Sequence, residues 1–146
     1  MKKTVEQRFW AKVGPHDDPT KCWLWTAFSH VGKDGKLRYG VFWANGKKVY
    51  AHRFSYGLHH ATIPAGMTID HVKARGCTST LCDNPHHLEV VTNKVNVLRG
   101  NTLPALEATV THCPQGHPYS EENTYVWQDR RQCRICRSYK KQKAKG

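Results

Sequence analysis

Asp70 and His71 are neighbours in a segment, Met67–His71, whose residue pattern predicts a strand. A neutral imidazole can take a proton from water. A carboxylate together with one amide oxygen, which Asn96 offers, can hold Mg²⁺, an ion that keeps several of its own waters. These are the parts of a metal-assisted phosphodiester hydrolysis. An Asp-His pair is also common, and taken alone it is more often structural or merely exposed.

The elements around this pair predict one supersecondary unit over residues 67–100. After the first strand come a loop with two cysteines and a second strand, Leu88–Val91. Thr92 can cap the following helix, which continues through Asn96 to Arg99 and stops at Gly100. In such a unit the strand end and the inner helix face can converge on one ion.

The segments on either side predict further small elements. A short amphipathic helix is expected from residue 5 to 13, a strand-favouring stretch at 22–26, and a helix from His52 to about Gly57. Asn45-Gly46 between two strand-like runs, 37–44 and 47–51, predicts a hairpin. Residues 101–111 lack a clear pattern and are expected to be a linker, and residues 112–146 form a separate basic module.

The charge of the chain favours a polyanionic partner. Its 146 residues carry 23 Lys and Arg against 11 Asp and Glu, a formal net charge of +12. Cationic side chains gain affinity by releasing counterions from phosphates. A membrane surface is the weaker alternative, because the sequence has no long apolar run. Charge alone also fits a merely soluble basic protein.

The cysteines and histidines predict metal sites that stabilise the fold, because only 38% of the residues of the chain are hydrophobic and its core is therefore small. The amino terminus shows no signal peptide, so we expect a reducing, cytoplasmic setting in which such residues bind metal. In the C-terminal module a C-x₃-H and a C-x₂-C motif have zinc-ribbon-like spacing. Their residues are Cys113, His117, Cys133 and Cys136.

The order of these motifs resembles the HNH (His-Me finger) endonucleases common in phages and introns. The resemblance rests on Asp70-His71, on Cys82-Asp-Asn-Pro-His-His-Leu88, and on Asn96. Upstream segments such as Ala51-His-Arg53 and Ile63-Pro-Ala-Gly66 are also similar, so the likeness spans nearly the whole chain.

The resemblance implies a role for each matched residue. His71 would be the general base, and Asp70 and Asn96 would hold a catalytic Mg²⁺ or Mn²⁺. Asn84 would tether the loop that orients His71, through either the imidazole or the backbone.

A first zinc site is also implied, because the spacing of Cys77, Cys82 and His87 resembles the His-Cys box branch of this superfamily. With the upstream Cys22 these residues complete a four-ligand set. Four inserted residues, 73–76, lengthen the loop between His71 and Cys77 relative to many members. Buried free cysteines are the alternative. Both zinc sites would be structural, because four protein ligands leave no open position.

The candidate DNA contacts are basic or aromatic. Trp43, Tyr39 and Tyr50 on the hairpin could contact DNA, although aromatic residues in a small sheet are more often core. The cationic tail continues to Lys145, and its end could equally be a solvated tail. For the cations near the predicted active site, an ordinary surface charge is as good an interpretation as a contact with DNA. The cationic candidates are Arg38, Arg53, Arg99, Arg130, Arg131, Arg134, Arg137, Lys140 and Lys141.

The sequence therefore predicts an α+β fold: a zinc-stabilised ββα-metal nuclease domain over residues 1–100 with an N-terminal antiparallel hairpin region, followed by the linker and the zinc-ribbon-like module. We expect a hydrolase that cuts double-stranded DNA inside a cell. Its gene would belong to a phage or to a homing element. Because one chain has one predicted active site, cutting both strands would need a homodimer or two successive nicks. The alternative function is a zinc-dependent DNA-binding protein without catalysis.

Overall fold

The computed structural model describes residues 2–143, which form two compact units that divide between Asn96 and Val97. The chain has a mixed α/β fold with small antiparallel sheets and short helices. Within the described part, no helix is both long and apolar enough to span a bilayer. The helices are α1 Val5–Trp10, α2 Ala51–His59, α3 Asn93–Arg99, α4 Leu103–Thr109 and α5 Arg134–Lys143. The strands are β1 Ser29–Val31, β2 Leu37–Ala44, β3 Lys47–Tyr50, β4 Met67–His71, β5 Leu88–Thr92, β6 Thr124–Trp127 and β7 Arg130–Cys133.

The core of the first unit is aromatic. A capping box between Thr4 and Gln7 starts α1. This helix packs Phe9, which is fully buried, against the rings of Trp25 and Phe42. The helix is shorter than expected and ends at Trp10, while Val13 forms an isolated bridge with Trp25. The strand expected at 22–26 is likewise reduced to isolated bridges, because its partners are irregular segments.

The hairpin expected around Asn45-Gly46 is confirmed. Strands β2 and β3 pair in antiparallel register, and both turn residues have the positive φ that a tight hairpin turn requires, 50° and 74°. Alternate side chains of β2, including Phe42, enter the core. Strand β1 joins the other edge of β2, so the order of this sheet is β1-β2-β3.

Strands β4 and β5 form a separate two-stranded sheet, as expected, with Met67 opposite Thr92 and His71 opposite Leu88. The hydroxyl of Thr92 accepts a hydrogen bond from the backbone N–H of Val95, 3.3 Å away, so the predicted cap of α3 is confirmed. No residue of α3 is buried. The sequence order strand, strand, helix is therefore present in the first unit up to Asn96.

The second unit contains a hairpin, β6–β7, that runs directly into α5. The segment 101–111, expected to be a linker, contains the seven-residue helix α4. Thr102 caps this helix by accepting a hydrogen bond from the N–H of Ala105, and Pro104 occupies its first turn, where no backbone donor is needed.

Candidate functional site

Four side chains of the first unit converge into a cluster that could hold a metal ion. Cys22, Cys77, Cys82 and His87, called the first cluster below, place one ligand atom each within 4.8 Å of the others. Nδ1 of His87 lies 3.6 Å from Sγ of Cys82 and 3.8 Å from Sγ of Cys22. Zn–S bonds of about 2.3 Å in a tetrahedron put ligand atoms roughly 3.8 Å apart. The donor set and its spacing therefore fit zinc.

The loop that delivers Cys77 is the one with the four inserted residues. It forms a 3₁₀ turn at Lys73–Arg75 and ends at Gly76, whose φ of 88° reverses the chain. The backbone N–H of Val72 bonds the carbonyl of His87, 2.8 Å away, which ties the start of this loop to the turn that precedes β5. The insertion therefore folds into a local turn and returns Cys77 to the cluster.

His71 adjoins the first cluster without belonging to it. Its Nδ1 lies 3.5 Å from Sγ of Cys77, and its Nε2 is buried with no hydrogen-bond partner among the described residues. A hydrogen bond from Cys82 lowers the pKa of Cys77 to about 4, and the contact with His71 adds to this against the effect of burial. If Cys77 is a thiolate, His71 donates from Nδ1, and Nε2 becomes the nitrogen with a free lone pair.

Within residues 2–143, the side chain of Asn84 forms its hydrogen bonds with the backbone. Its side-chain amide donates to the carbonyl oxygens of Pro19, at 2.8 Å, and Lys21, at 2.7 Å. Its Oδ1 accepts a hydrogen bond from the N–H of His86. Of the two arrangements open at the sequence level, the structure therefore has the backbone one. Asn84, fully buried, links the loop before Cys22 to the turn that carries His87.

The two residues expected to hold a catalytic ion lie on β4 and on α3, with β5 between them in the chain. Asp70 is buried near the end of β4, opposite Glu89 of β5. Asn96 is half-buried on α3. Both offer the oxygen donors that Mg²⁺ prefers. Neither residue belongs to the metal-competent clusters found among the described residues, so a catalytic ion at this pair stays a prediction.

The second cluster is formed by the four predicted residues of the C-terminal module, Cys113, His117, Cys133 and Cys136. Sγ of Cys113 and Sγ of Cys136 are 3.7 Å apart, and Nδ1 of His117 lies 3.3 Å from Sγ of Cys136. These distances again fit ligands of one tetrahedral zinc ion rather than a disulfide. The hairpin β6–β7 and the start of α5 supply two of the four ligands.

Asn123 supports the second cluster, a role that no sequence motif indicated. It is buried, and its amide donates to Sγ of Cys133 at 3.4 Å and to the carbonyl of Pro118 at 2.6 Å. Burial acts to raise the pKa of Cys133, but hydrogen bonds from the Cys136 N–H and from Asn123 lower it to about 6. These donors stabilise the thiolate that a zinc ion requires.

The candidate cations have different environments. Arg53 is half-buried beside Lys48 in a cleft, and Arg38 forms an exposed ion pair with Asp34. Arg131 bonds the carbonyls of Glu107 and Val110, so within its unit it holds the end of α4. The remaining candidates are exposed: Arg99, Arg130, Arg134, Arg137, Lys140 and Lys141. Lys145 lies outside the described residues.

His52 is a buried histidine beside His71 that sequence reasoning did not single out. The two ring centroids are 5.1 Å apart, and Nδ1 of His52 has no hydrogen-bond partner among the described residues. Burial, assisted by the nearby charges of His71 and Arg53, lowers the pKa of His52 to about 3. The ring is therefore neutral at physiological pH.

Comparison with known proteins relates the chain to a phage protein. Protein 2.8 of Escherichia phage T7 is 35% identical over 77 residues, which cover 51% of this chain and 45% of that protein. The match thus spans less than half the length of the relative. No family model matches the chain. No solved structure matches it either. The chain is therefore a homologue of protein 2.8 over the matched segment, with two Cys/His clusters that could hold zinc.

Proposed function

We propose that the chain is a metal-dependent DNA endonuclease of the HNH type, in which His71 activates the attacking water. The observation that carries the proposal is the environment of His71. Its Nδ1 faces Cys77 of the first cluster, and its Nε2 has no partner among the described residues. A histidine held by one nitrogen, with the other nitrogen left to accept a proton, has the arrangement that a general base needs.

The finer fold assignment belongs to the same proposal. Strands β4 and β5 followed by α3 would be the ββα-metal unit, with the first cluster as its structural zinc site. The hairpin β6–β7 with α5 would be the zinc-ribbon-like module. Support comes from the antiparallel pairing of β4 with β5 and from the two four-residue clusters.

In the proposed reaction, a water molecule must first reach the buried Nε2 of His71. His71 then accepts a proton from this water at Nε2 while the water attacks the phosphorus. The contact of Nδ1 with Cys77 keeps the ring oriented. Asp70 and Asn96 would hold a divalent ion, which when bound stabilises the charge on the phosphate and on the departing oxygen. Asn84 maintains the site indirectly, because it fixes the backbone that positions His87.

The positive charge supports DNA as the substrate. The net charge of +12 and the exposed cations of α5 suit a phosphate backbone. Arg137 packs over the ring of Tyr125 at 4.3 Å, which keeps its stem in place while its side chain remains exposed. Protein 2.8, the relative reported above, is a phage protein, and a DNA-processing enzyme suits that origin.

A plasmid-nicking assay with zinc-loaded protein and added Mg²⁺ or Mn²⁺ tests the proposal. We expect nicked plasmid from the unchanged chain, none without the added ion, and none from Asp70→Ala. Asp17→Ala serves as the matched control, because Asp17 is an exposed aspartate of the same unit. Tight DNA binding without nicking under any divalent ion would instead identify a non-catalytic zinc-dependent DNA-binding protein.

A further inference from the structure

A row of aromatic rings leads from the surface of the first sheet to His71. Phe28, His30, Tyr50 and Tyr39, called the aromatic track below, contact one another in that order. Their successive ring centroids lie 6.2, 5.9 and 5.7 Å apart. Tyr39 then stacks on His71, with a centroid distance of 6.1 Å and an interplanar angle of 25°.

The rings of the track are open to solvent. Phe28 is 70% exposed, Tyr50 is 42% exposed and Tyr39 is 37% exposed. Aromatic residues in a small sheet usually belong to its core, and here Phe42 and Trp25 fill that role from the other face. Exposed rings in a row are therefore surplus to the packing of the fold, and such rows mark binding surfaces.

A cleft of about 730 Å³ opens beside Tyr50. Its walls include Phe54 and Ile63 as well as the cations Lys48 and Arg53. Clefts of this size hold small-molecule ligands the size of a nucleotide. An apolar peptide would leave the two cations without partners, whereas a nucleotide offers a ring for the aromatic wall and a phosphate for the cations.

The charge around the track is predominantly positive, although Arg38 pairs with Asp34 and Asp70 precedes His71. From residue 35 to residue 69 the chain contains no Asp or Glu and has five basic residues, Lys36, Arg38, Lys47, Lys48 and Arg53. Stacking rings that alternate with cations are the general recognition chemistry of single-stranded nucleic acids. In a duplex the faces of the bases are covered by their neighbours, so a stacking track can engage only unpaired nucleotides.

We propose that the aromatic track and the adjoining cleft bind unpaired nucleotides of a DNA strand and guide that strand to His71. The substrate at the site would then be single-stranded or locally opened DNA, in contrast to the double-stranded DNA expected from the sequence. The placement of the bond to be cut rests on the proposed nuclease function, and the binding itself does not.

Fluorescence anisotropy of zinc-loaded protein without added Mg²⁺ tests the binding. The two probes are a labelled oligothymidylate, which has no self-structure, and a hairpin duplex with the same number of phosphates. We expect Phe28→Ala and Tyr50→Ala each to weaken binding of the single strand about tenfold. Binding of the duplex should be unchanged in both variants.

Three further variants separate stacking from other effects. Phe28→Tyr and Tyr50→Phe keep the rings and should retain the affinity for the single strand. Leu103→Ala removes an apolar side chain of α4 that is 75% exposed, much as Phe28 is, but is not part of the track, so it should bind normally. Phe28 is the deciding position, because so exposed a side chain adds little to folding.

Unchanged single-strand affinity in Phe28→Ala would overturn the proposal, as would an equal loss of affinity for the duplex. Cleavage is scored separately from binding. A chain that binds single strands through the track but cuts no DNA would contradict the nuclease function and leave the track assignment standing. A chain that cuts DNA but binds single strands equally well with and without the rings would contradict the track assignment and leave the nuclease function standing.

Discussion

The neutral state of buried His52 makes a specific prediction for the pH dependence of stability. Its pKa is about 3 in the folded chain and about 6.5 in the unfolded chain. Below pH 6.5 the unfolded chain therefore takes up a proton that the folded chain does not. The stability associated with His52 is present above pH 6.5 and is lost as the pH falls toward 3. Between pH 7 and pH 5 the loss is about 2 kcal/mol.

His52→Phe removes this titration while keeping an aromatic ring in the same place. Because Nδ1 of His52 bonds no described residue, a carbon can replace it without leaving a partner unsatisfied. We expect urea unfolding of zinc-loaded protein to show a drop in stability between pH 7 and pH 5 that is about 2 kcal/mol smaller in His52→Phe than in the unchanged chain. The zinc ligands titrate alike in both proteins, so the difference isolates His52.

His112→Phe is the control, since His112 is exposed and its substitution should leave the pH dependence unchanged. The reasoning is refuted if His52→Phe loses as much stability on acidification as the unchanged chain. That result would mean that His52 is charged or solvated in the folded chain.

Three other substitutions test the packing of the core, the tether formed by Asn84 and the second metal cluster. Gly40→Ala would place Cβ 2.5 Å from Cγ of buried Trp25, and urea unfolding should show a loss of about 1–3 kcal/mol; no loss would mean that the core yields there. Asn84→Ala removes two hydrogen bonds to backbone carbonyls, and the same measurement should show a loss of about 1–3 kcal/mol; a neutral result would contradict its tethering role. Cys136→Ser should reduce zinc from two ions to one per chain by metal analysis, and two retained zinc ions would remove Cys136 from the ligand set.

Local sequence signals were sufficient for the elements with strong turn or cap chemistry. Asn45-Gly46 specifies its hairpin because its residues tolerate the positive φ that the turn requires. Thr92 specifies the start of α3 because its hydroxyl accepts one hydrogen bond from a backbone N–H of the first turn. The ligand set of the second cluster could be identified from the spacing of its cysteines and histidine. That of the first followed from the resemblance of Cys77, Cys82 and His87 to a known zinc site, with Cys22 as the remaining upstream cysteine.

The remaining features depend on tertiary contacts that no local pattern encodes. Residues 22–26 are rich in strand formers, yet they form isolated bridges, because the segments opposite Leu24 and Trp25 are irregular. Helix α4 was missed because it is only seven residues long and none of them is buried. The roles of His52 and Asn123 follow only from burial and from neighbours distant in sequence.

The most direct test of the central claim is the single-turnover cleavage rate of a DNA oligonucleotide by zinc-loaded protein at saturating Mg²⁺, with His71→Ala beside the unchanged chain. Zinc content and DNA affinity are measured on the same samples. Loss of a general base should lower the rate about 10²–10⁴-fold while zinc content and affinity remain unchanged. Equal cleavage rates in the two proteins would contradict the assignment of His71 as the residue that activates water.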